Sequence, residues 1–596
     1  MNRLKELLLI VVALLAIEQV NAQFAMQNVV NREQISLNGR WYALPDVMDR
    51  GMGDRWGKRG VWREKNPTRL DEVCFEGGLS LSVPGDWNSQ HAELLYYEEK
   101  MWYKRNFNTS IEANRRYFLH FAAANVEAMA FMNNRELGSH VGGFTPFQFE
   151  VTDIVNSGEN EVVVMVSNVR RDGIAPGVNF DWWNYGGLTR DVTLISTPMT
   201  YIEDYWIRLK KGSQSRVMID LKLNGEQAAN QSVTINIGNL SKKIKTNDRG
   251  EAQLSFDAKL DLWSPKSPKL YDIKIETPFE TLNDKIGFRS FETAGTEIML
   301  NGEPIFMKGV NLHEEIGKDE RRSVGEQDAE YLVKHLEDLG CNFVRLTHYP
   351  ADEHLVRKCE ERGLMIWEEI PVRGSHLDFT NTEMKEGAER VLYEMIERDK
   401  NRCGVVMWSI SNETPARNKD RNEFLTGLIE RCRNYDNTRA VTMASNQVYY
   451  PKGVTDTLEM IDPLARHVDI VGVNKYQGWY VPWLADPAAT QWKIVDDRPI
   501  IMSEFGAGAV YGKYGDDENP DAFSDRYMAN AYRNYLASFE NIPNLRGTCP
   551  WVLFDFKSLR RSQAMYQKGW NRKGLLSPMG EKKEAWYIMN EYYKSR

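Results

Sequence analysis

GVVMWSISNE, residues 404–413, is a short apolar run that ends in a carboxylate. A second run of the same kind, PIIMSEFG at residues 499–506, carries Glu504. Both runs are rich in Val, Ile and Met and bounded by turn residues, which predicts two buried parallel strands. A carboxylate at the end of such a strand is costly unless a function or a partner requires it. Glu413 and Glu504 therefore suggest a paired-carboxylate site, and two ion-paired core glutamates are the alternative.

Strand-like runs alternate with helical segments throughout the chain after residue 296. Two clear helical patterns are 326–340 and 382–400. The eight apolar runs are 304–311, 342–348, 364–370, 405–413, 440–445, 469–476, 499–506 and 548–556. Eight strand–helix units over about three hundred residues predict a TIM barrel. A doubly wound sheet is the alternative, but no GxGxxG or Walker loop follows a strand.

Short alternating strands with turn signals fill residues 30–290 and predict β-sandwiches. In the first block, strands are expected at 117–134, 160–168 and 191–198, and Pro198 ends the block. The second block has the length of an immunoglobulin-like domain. Its expected strands are 216–224, 232–239, 252–260, 271–277 and 284–292.

Composition excludes some functions and suggests a location. The 596 residues carry a net charge of -9 with no basic stripe, which argues against nucleic-acid binding. A basic start, an apolar run at 7–17 and small residues at 20–22 predict a secretory signal peptide over residues 1–22. Export to a periplasm or the exterior is therefore expected, with a buried N-terminal helix as the alternative. No later stretch reaches 18 apolar residues, so no membrane insertion is expected.

The six cysteines form neither a CxxC motif nor a cluster with histidine. Buried free thiols are the expected state, and a zinc site is not expected. We expect no cofactor and no metal. A homo-oligomer remains possible, because no surface pattern decides the oligomeric state.

Polar residues gather at the predicted carboxyl ends of the barrel strands, where the active site of a TIM barrel lies. They include Asn311, His313, Glu314, Arg345, His348, Trp367, Glu368, Glu369, Asn412, Glu413, Asn474, Tyr476, Glu504 and Trp551. No serine lies in a GxSxG elbow, and no metal triad is evident. Two carboxylates with an apolar floor and aromatic walls suit cleavage of a glycosidic bond. One carboxyl must be protonated and the other ionised.

WSISNE at 408–413 and SEFG at 503–506 resemble the acid/base and nucleophile signatures of glycoside hydrolase family 2. Six further motifs resemble the family in order along the chain: NGRW 38–41, VPGDW 83–87, WYKR 102–105, GFTPF 143–147, NYGGL 184–188 and IGFR 286–289. The resemblance implies a sugar-binding jelly-roll β-sandwich (23–199), an immunoglobulin-like β-sandwich (200–293) and a catalytic TIM (β/α)8 barrel (294–596).

The resemblance also implies roles for individual residues. Glu413 is expected to be the general acid/base and Glu504 the nucleophile of a retaining, exo-acting enzyme. Asn412 is expected to bind the sugar 2-hydroxyl, and Tyr476 to lie beside Glu504. Further sugar-binding positions implied by the family are Asp181, His348, Asn474 and Trp551.

The motif that indicates which sugar is bound is GWNRKGLL, residues 569–576. It resembles the Asn-x-Lys motif of the family's β-glucuronidases, in which Asn571 and Lys573 would bind the sugar carboxylate. A surface turn is the alternative reading of the motif. The arginine that the family places before this motif is not evident. Lys568 and Arg560 are candidates to replace it, and the sequence does not assign the role. A β-galactosidase of the same fold and an inactive carbohydrate-binding protein remain alternatives.

Two expectations concern the surroundings of the site. The segments after the second and third barrel strands are short, which predicts an open rim that admits oligosaccharides or polysaccharide ends. WYVPW, residues 479–483, is expected either to stack on sugar or to pack into the core.

Overall fold

Two antiparallel sheets pack face to face in the first domain of the computed structural model, which describes residues 23–49, 75 and 77–596. The predicted signal peptide and Cys74 lie outside the described residues. The six-stranded sheet has, in spatial order, Leu79–Val83, Gly39–Asp46, Lys100–Thr109, Gly158–Ser167, Glu127–Met132 and Arg135–Val141. The five-stranded sheet has Gln23–Phe24, Phe147–Glu150, Arg115–Phe121, Val192–Pro198 and Gln34–Ser36.

Side chains alternate across these strands as a two-residue period requires. Val162, Val164 and Val166 enter the core between the sheets, whereas Val163 and Met165 pack in a smaller cluster on the outer face. The run at 117–134, predicted as one strand region, is two strands that belong to different sheets.

The second domain is a seven-stranded sandwich. One sheet contains Tyr201–Leu209, Arg216–Asn224 and Glu251–Asp257; the other contains Leu240–Lys245, Ser232–Ile237, Tyr271–Glu276 and Thr281–Ile286. Each of the five predicted runs overlaps an observed strand, but 284–292 extends over the end of one strand and the start of the next, Phe291–Ala294. The predicted runs missed two strands, Tyr201–Leu209 and Leu240–Lys245. The second is an edge strand without a fully buried side chain.

The third domain is a closed barrel of eight parallel strands, as predicted. Barrel strands 1 to 8 are Met307–Leu312, Phe343–Leu346, Met365–Glu369, Val405–Asn412, Ala440–Ser445, Ile470–Asn474, Ile500–Glu504 and Leu545–Thr548. Strands 2 to 7 lie within the predicted runs, and strand 1 extends one residue beyond its predicted run, 304–311. Strand 8 ends where the predicted run 548–556 begins, so most of that run is a loop above the barrel.

The prediction of eight strand–helix units was wrong for strands 5 and 6. The α-helices of the described residues are Gly325–Leu339, Glu353–Glu361, Thr382–Asp399, Lys419–Tyr435, Asp525–Phe539 and Glu584–Ser595. Strands 5 and 6 are followed instead by the 3-10 helices Pro463–Arg466 and Pro487–Ala489 and a small sheet of Val448–Tyr449, Thr457–Met460 and Gln491–Lys493. Prolines at 451, 463, 482, 487 and 499 interrupt helical hydrogen bonding there.

Local sequence explains where the barrel helices begin. Asp352, Asn381, Asn418 and Ser524 each accept a backbone N–H from the first turn of the helix that follows. Minor elements are the strands Phe291–Ala294, Glu297–Leu300, Glu303–Pro304, Glu315–Ile316, Arg321–Arg322, Phe556–Lys557 and Trp570–Asn571 and the 3-10 helices Val29–Asn31, Ala92–Leu94, Gly317–Asp319 and Pro520–Ala522.

The helix Glu584–Ser595 packs across the seam where strands 1 and 8 pair and close the barrel. Its Tyr593 hydroxyl contacts the carbonyl of Gly309 on strand 1 and lies 3.0 Å from the carbonyl of Thr548 on strand 8. The same side chain is 1% exposed, so one helix joins the two strands that complete the ring.

Arg190 joins the first domain to the barrel. Its buried guanidinium donates to the Phe144 carbonyl at 2.6 Å, to the Pro350 carbonyl at 2.8 Å and to Glu314 Oε2 at 3.0 Å. Because Phe144 belongs to the first domain and Pro350 to the barrel, this one side chain bridges the two.

Three observations concern ligands and surroundings of the described residues. The five cysteines within residues 77–596 are free. Over the same part of the chain, no helix has the length and apolar character needed to cross a membrane. Within the described ranges, no group of three or more His, Cys, Asp or Glu side chains is arranged to hold a metal ion.

Candidate active site

Glu413 and Glu504 lie at the carboxyl ends of barrel strands 4 and 7 and face one cavity of about 260 Å³. The cavity is lined by Asp181, His348, Arg373, Glu413, Asn446, Tyr449, Asn474, Lys475, Tyr476, Tyr480, Val481, Glu504, Trp551, Arg561 and Lys573. Eight of the ten predicted site residues are in this set. The other two, Asn412 and Asn571, are buried directly behind it and contact its members. This volume lies slightly below the usual range for ligand sites, about 300–1,000 Å³.

Glu504 is held by donors on both carboxylate oxygens. Arg345 donates to Oε1 at 2.8 Å, and the Tyr476 hydroxyl donates to Oε2 at 2.8 Å. Burial raises the pKa of Glu504 to about 7, and the Arg345 charge opposes this rise. The negative charge of Glu413 pushes the same pKa upward, so the two carboxylates interact.

Glu413 is oriented by an amide pair beside it. The Asn474 amide donates to Glu413 Oε1 at 3.1 Å and to Asn412 Oδ1 at 3.0 Å. Glu413 has a φ of +53°, a backbone conformation that non-glycine residues seldom adopt outside functional sites and turns. Its side chain is more exposed than that of Glu504, so it is accessible from the cavity.

A buried network beneath the cavity fixes these groups. Arg345 pairs with Glu369 at 2.9 Å and donates to Asn412 Oδ1 at 2.8 Å. His348 Nδ1 lies 2.8 Å from Glu369 Oε1. Burial, and then the Arg345 charge, lower the pKa of His348 well below its usual value, so this imidazole is neutral and donates to Glu369. Its ring stacks on Trp551 with centroids 5.0 Å apart.

Arg345 and Glu369 were not among the predicted site residues, although both were noted at strand ends. The sequence signal that could have identified them as site residues is a charged residue inside an otherwise apolar strand. Neither lines the cavity, but Arg345 touches Glu504, Glu369 and Asn412 and so positions the site from below.

The wall opposite Glu413 is formed by the first domain and the loop after strand 8. Asp181 comes from the first domain and accepts from the Ser558 hydroxyl at 2.5 Å and from the Arg561 Nε at 3.1 Å. Burial pushes the pKa of Asp181 upward, but the Arg561 guanidinium outweighs it and lowers that pKa. Neither candidate for the family's arginine lines the cavity: Arg560 and Lys568 are exposed outside it, whereas Arg561 lines it.

Lys573 lies in the same wall. It is 2% exposed, and its Nζ lies 2.7 Å from the Tyr480 hydroxyl. Among the described residues, no carboxylate forms an ion pair with it. Burial lowers the pKa of Lys573. Asn571 is 1% exposed and donates to Asp181 Oδ2 at 3.3 Å, so the surface-turn reading of the Asn-x-Lys motif does not fit this geometry.

The aromatic stretch 479–483 was predicted either to contact sugar or to pack into the core, and its residues divide between the cavity wall and the core. Tyr480 and Val481 line the cavity. Trp479 packs edge-on against Phe523, and Trp483 packs against Tyr535. Only part of the stretch is therefore available to a ligand.

Besides Arg561, four lining residues had no predicted role: Arg373, Asn446, Tyr449 and Lys475. They follow barrel strands 3, 5 and 6. No pattern in the sequence distinguishes them from surface residues, because their position depends on how the loops fold back over the barrel.

A TIM barrel that presents two interacting carboxylates in one lined cavity, at the ends of strands 4 and 7, has the site of a glycoside hydrolase. Three family models agree: "Glycosyl hydrolases family 2, TIM barrel domain" matches residues 291–590, "Glycosyl hydrolases family 2, sugar binding domain" matches residues 35–198, and "Glycosyl hydrolases family 2" matches residues 200–289. The chain belongs to glycosyl hydrolase family 2.

Similar proteins extend over nearly the whole chain. The β-glucuronidase of Rattus norvegicus is 27% identical over 635 residues, which cover 94% of this chain and 91% of that protein. The structure of Bifidobacterium dentium β-glucuronidase complexed with coumarin-3-O-glucuronide has a TM-score of 0.80 at 25% identity and covers 96% of this chain and 99% of that chain. The β-galacturonidase from Eisenbergiella tayi bound to galacturonate has a TM-score of 0.78 at 21% identity, with coverage of 96% and 99%, and shares the fold.

Proposed function

We propose that this enzyme removes terminal β-D-glucuronic acid from glycans or conjugates with retention of configuration. The observation that carries the proposal is Lys573, a buried cation that lines the same cavity as the two glutamates and lacks a carboxylate partner among the described residues. A buried unpaired charge is destabilising, so an anionic ligand group is its natural partner. The β-glucuronidases described above support the same choice.

The geometry suits a uronic acid bound between two walls. Its carboxylate would lie against Lys573 and Tyr480, where Arg561 adds positive charge. Asp181 and His348 would face ring hydroxyls. Asn412 Nδ2 is buried and has no hydrogen-bond partner among the described residues, so it is free to donate to a sugar hydroxyl next to Glu413.

The reaction then proceeds in two displacements. The Glu504 carboxylate attacks the anomeric carbon while Glu413 gives its proton to the departing glycosidic oxygen. Water next attacks the glycosyl-enzyme ester, loses its proton to Glu413, and frees Glu504. The Arg345 charge favours the ionised form of Glu504 that the first step needs.

The test compares kcat/KM for 4-nitrophenyl β-D-glucuronide, β-D-galacturonide and β-D-galactoside in the wild type and in Lys573→Ala. We expect glucuronide to be preferred and its kcat/KM to fall by about 10- to 100-fold in the variant, the effect of a hydrogen bond to a charged group. The exposed Lys568→Ala is the matched control and should retain the preference. A galactoside preference that survives Lys573→Ala would overturn the proposal.

We also propose that the chain is exported and cleaved before Gln23. The basic start, the apolar run at 7–17 and the small residues at 20–22 support this. N-terminal sequencing of the protein from its native host should begin near Gln23, whereas an intact Met1 would contradict export by this route.

A further inference from the structure

Two cations in the cavity are left over after the uronic acid is accounted for. Arg561 pairs with Asp181, and Lys573 faces the proposed sugar carboxylate. Arg373 and Lys475 also line the cavity, and neither forms an ion pair with any carboxylate of the described residues. Lys475 is buried, and Arg373 is half-buried with a buried Nε. Charges held away from water need a partner, so these two side chains point to a second anionic group on the ligand.

Lys475 is the more deeply buried of the two. It is 7% exposed, and its Nζ donates to the Val448 carbonyl at 2.6 Å and lies 5.2 Å from the Tyr449 ring centroid. An ammonium group has three N–H donors, and this carbonyl uses one. Burial lowers the pKa of Lys475 to about 8, which leaves the side chain mostly charged at neutral pH.

Arg373 follows barrel strand 3 and lies next to the acid/base residue. Its backbone pairs with Asn412, and Gly374 N–H donates to the Asn412 carbonyl at 2.9 Å. The guanidinium carbon lies 5.7 Å from the Trp182 ring centroid. Its Nε is buried and has no hydrogen-bond partner in the part of the chain that the structure describes.

The order of strands around the barrel places these cations relative to the reaction. Lys573 follows strand 8, whereas Glu413 follows strand 4 on the far side of the ring. Because the general acid protonates the departing oxygen, the leaving group must lie beside Glu413. Arg373 follows strand 3, the neighbour of strand 4. Lys475 follows strand 6 directly after Asn474, whose amide donates to Glu413 Oε1 at 3.1 Å.

We propose that Arg373 and Lys475 form a leaving-group subsite for an anionic sugar residue, one that carries a sulfate ester or a carboxylate. The preferred substrate is then the glucuronide end of an acidic oligosaccharide rather than a neutral conjugate. This inference rests on the proposed glucuronidase function and assigns the other half of the same substrate.

The experiment uses three disaccharides that share a β-D-glucuronosyl residue and differ in the second sugar: a neutral hexosamine, the same hexosamine O-sulfate, and a uronic acid. We expect the wild type to cleave at least one charged disaccharide with a kcat/KM about tenfold above that of the neutral one. The two charged substrates show whether sulfate or carboxylate is recognised. The preference should decrease as ionic strength rises.

Variants then assign the preference to the two cations. The ratio of kcat/KM for the charged substrate to kcat/KM for the neutral one should fall toward one in the double variant Arg373→Gln/Lys475→Met. Each single variant should lower this ratio partly. Lys475→Arg keeps the charge and should retain the wild-type ratio. Lys452→Met, at an exposed lysine outside the cavity, is the matched control and should keep the wild-type ratio. The ratio compares substrates within one preparation, so it is insensitive to the folded fraction.

The possible failures can be told apart. If the wild type hydrolyses the neutral disaccharide with the same kcat/KM as both charged ones, the proposed subsite is overturned and the glucuronidase function stands. A charged preference that survives the double variant also overturns it. Absence of cleavage of every disaccharide and of 4-nitrophenyl β-D-glucuronide overturns the proposed function and this inference together.

Discussion

The Tyr476 hydroxyl donates to Glu504 Oε2 at 2.8 Å, on the opposite oxygen from the one that Arg345 holds. This bond favours the ionised carboxylate. Since burial already raises the pKa of Glu504 to about 7, its titration should shape the acidic side of the pH profile.

Tyr476→Phe should therefore move the acidic limb of the kcat/KM profile to higher pH. The sign follows because removing a donor to the carboxylate raises its pKa, so activity is lost at a higher pH as the solution is acidified. We expect kcat at the optimum to fall by about 10- to 100-fold. An acidic limb that stays in place or moves downward would show that Tyr476 does not influence Glu504.

Glu504→Gln should abolish turnover while the protein stays folded and still binds sugar. The amide keeps the size of the side chain but cannot form the glycosyl-enzyme ester. A loss of at least about 10⁴-fold in kcat is expected for removal of a nucleophile. Calorimetric binding of glucuronate to the variant, with Glu459→Gln at an exposed glutamate as control, separates lost chemistry from lost binding. Substantial residual turnover would refute the nucleophile assignment.

Glu413→Gln should discriminate between leaving groups. An acidic 4-nitrophenol departs without much protonation, whereas an alkyl alcohol needs the acid, so the loss in kcat/KM should be far larger for a methyl glucuronide. A series of aryl and alkyl glucuronides of increasing alcohol pKa measures this dependence. Equal losses across the series would mean that Glu413 does not donate the proton.

Arg190→Met should weaken the interface between the first domain and the barrel and lower the free energy of unfolding. The variant removes hydrogen bonds to the Phe144 and Pro350 carbonyls and the ion pair with Glu314. Breaking a buried pair by truncating one partner costs about 3–5 kcal/mol, and urea denaturation should detect this loss in the free energy of unfolding. Arg216→Met, which breaks the exposed pair with Asp257, is the control and should cost under about 1 kcal/mol. Equal effects would contradict a bridging role.

The sequence predicted the barrel well because its strands are buried on both faces. Such strands are continuous apolar runs, and a carboxylate at the end of one stands out, as Glu413 and Glu504 do. The immunoglobulin-like domain was also predictable where strands alternate. Leu240–Lys245 was missed because an edge strand rich in lysine has no buried stripe to detect.

The parts that escaped prediction depend on long-range geometry. A helix after strands 5 and 6 was assumed by analogy with the other units, yet the proline positions in 446–499 argued against it. Arg561 was not separable from Arg560 by sequence, since only the fold of the loop after strand 8 directs one into the cavity and the other to solvent.

The helix that carries Tyr593 has a consequence for biosynthesis. Its Tyr593 contacts both strand 1 and strand 8. The helix follows Lys573 in the chain, whereas Asp181, which lines the same cavity, is translated much earlier. The pocket is therefore whole only after this helix has been translated. Truncated products from premature termination or proteolysis of this helix should be inert, so unfinished chains do not cleave glycans.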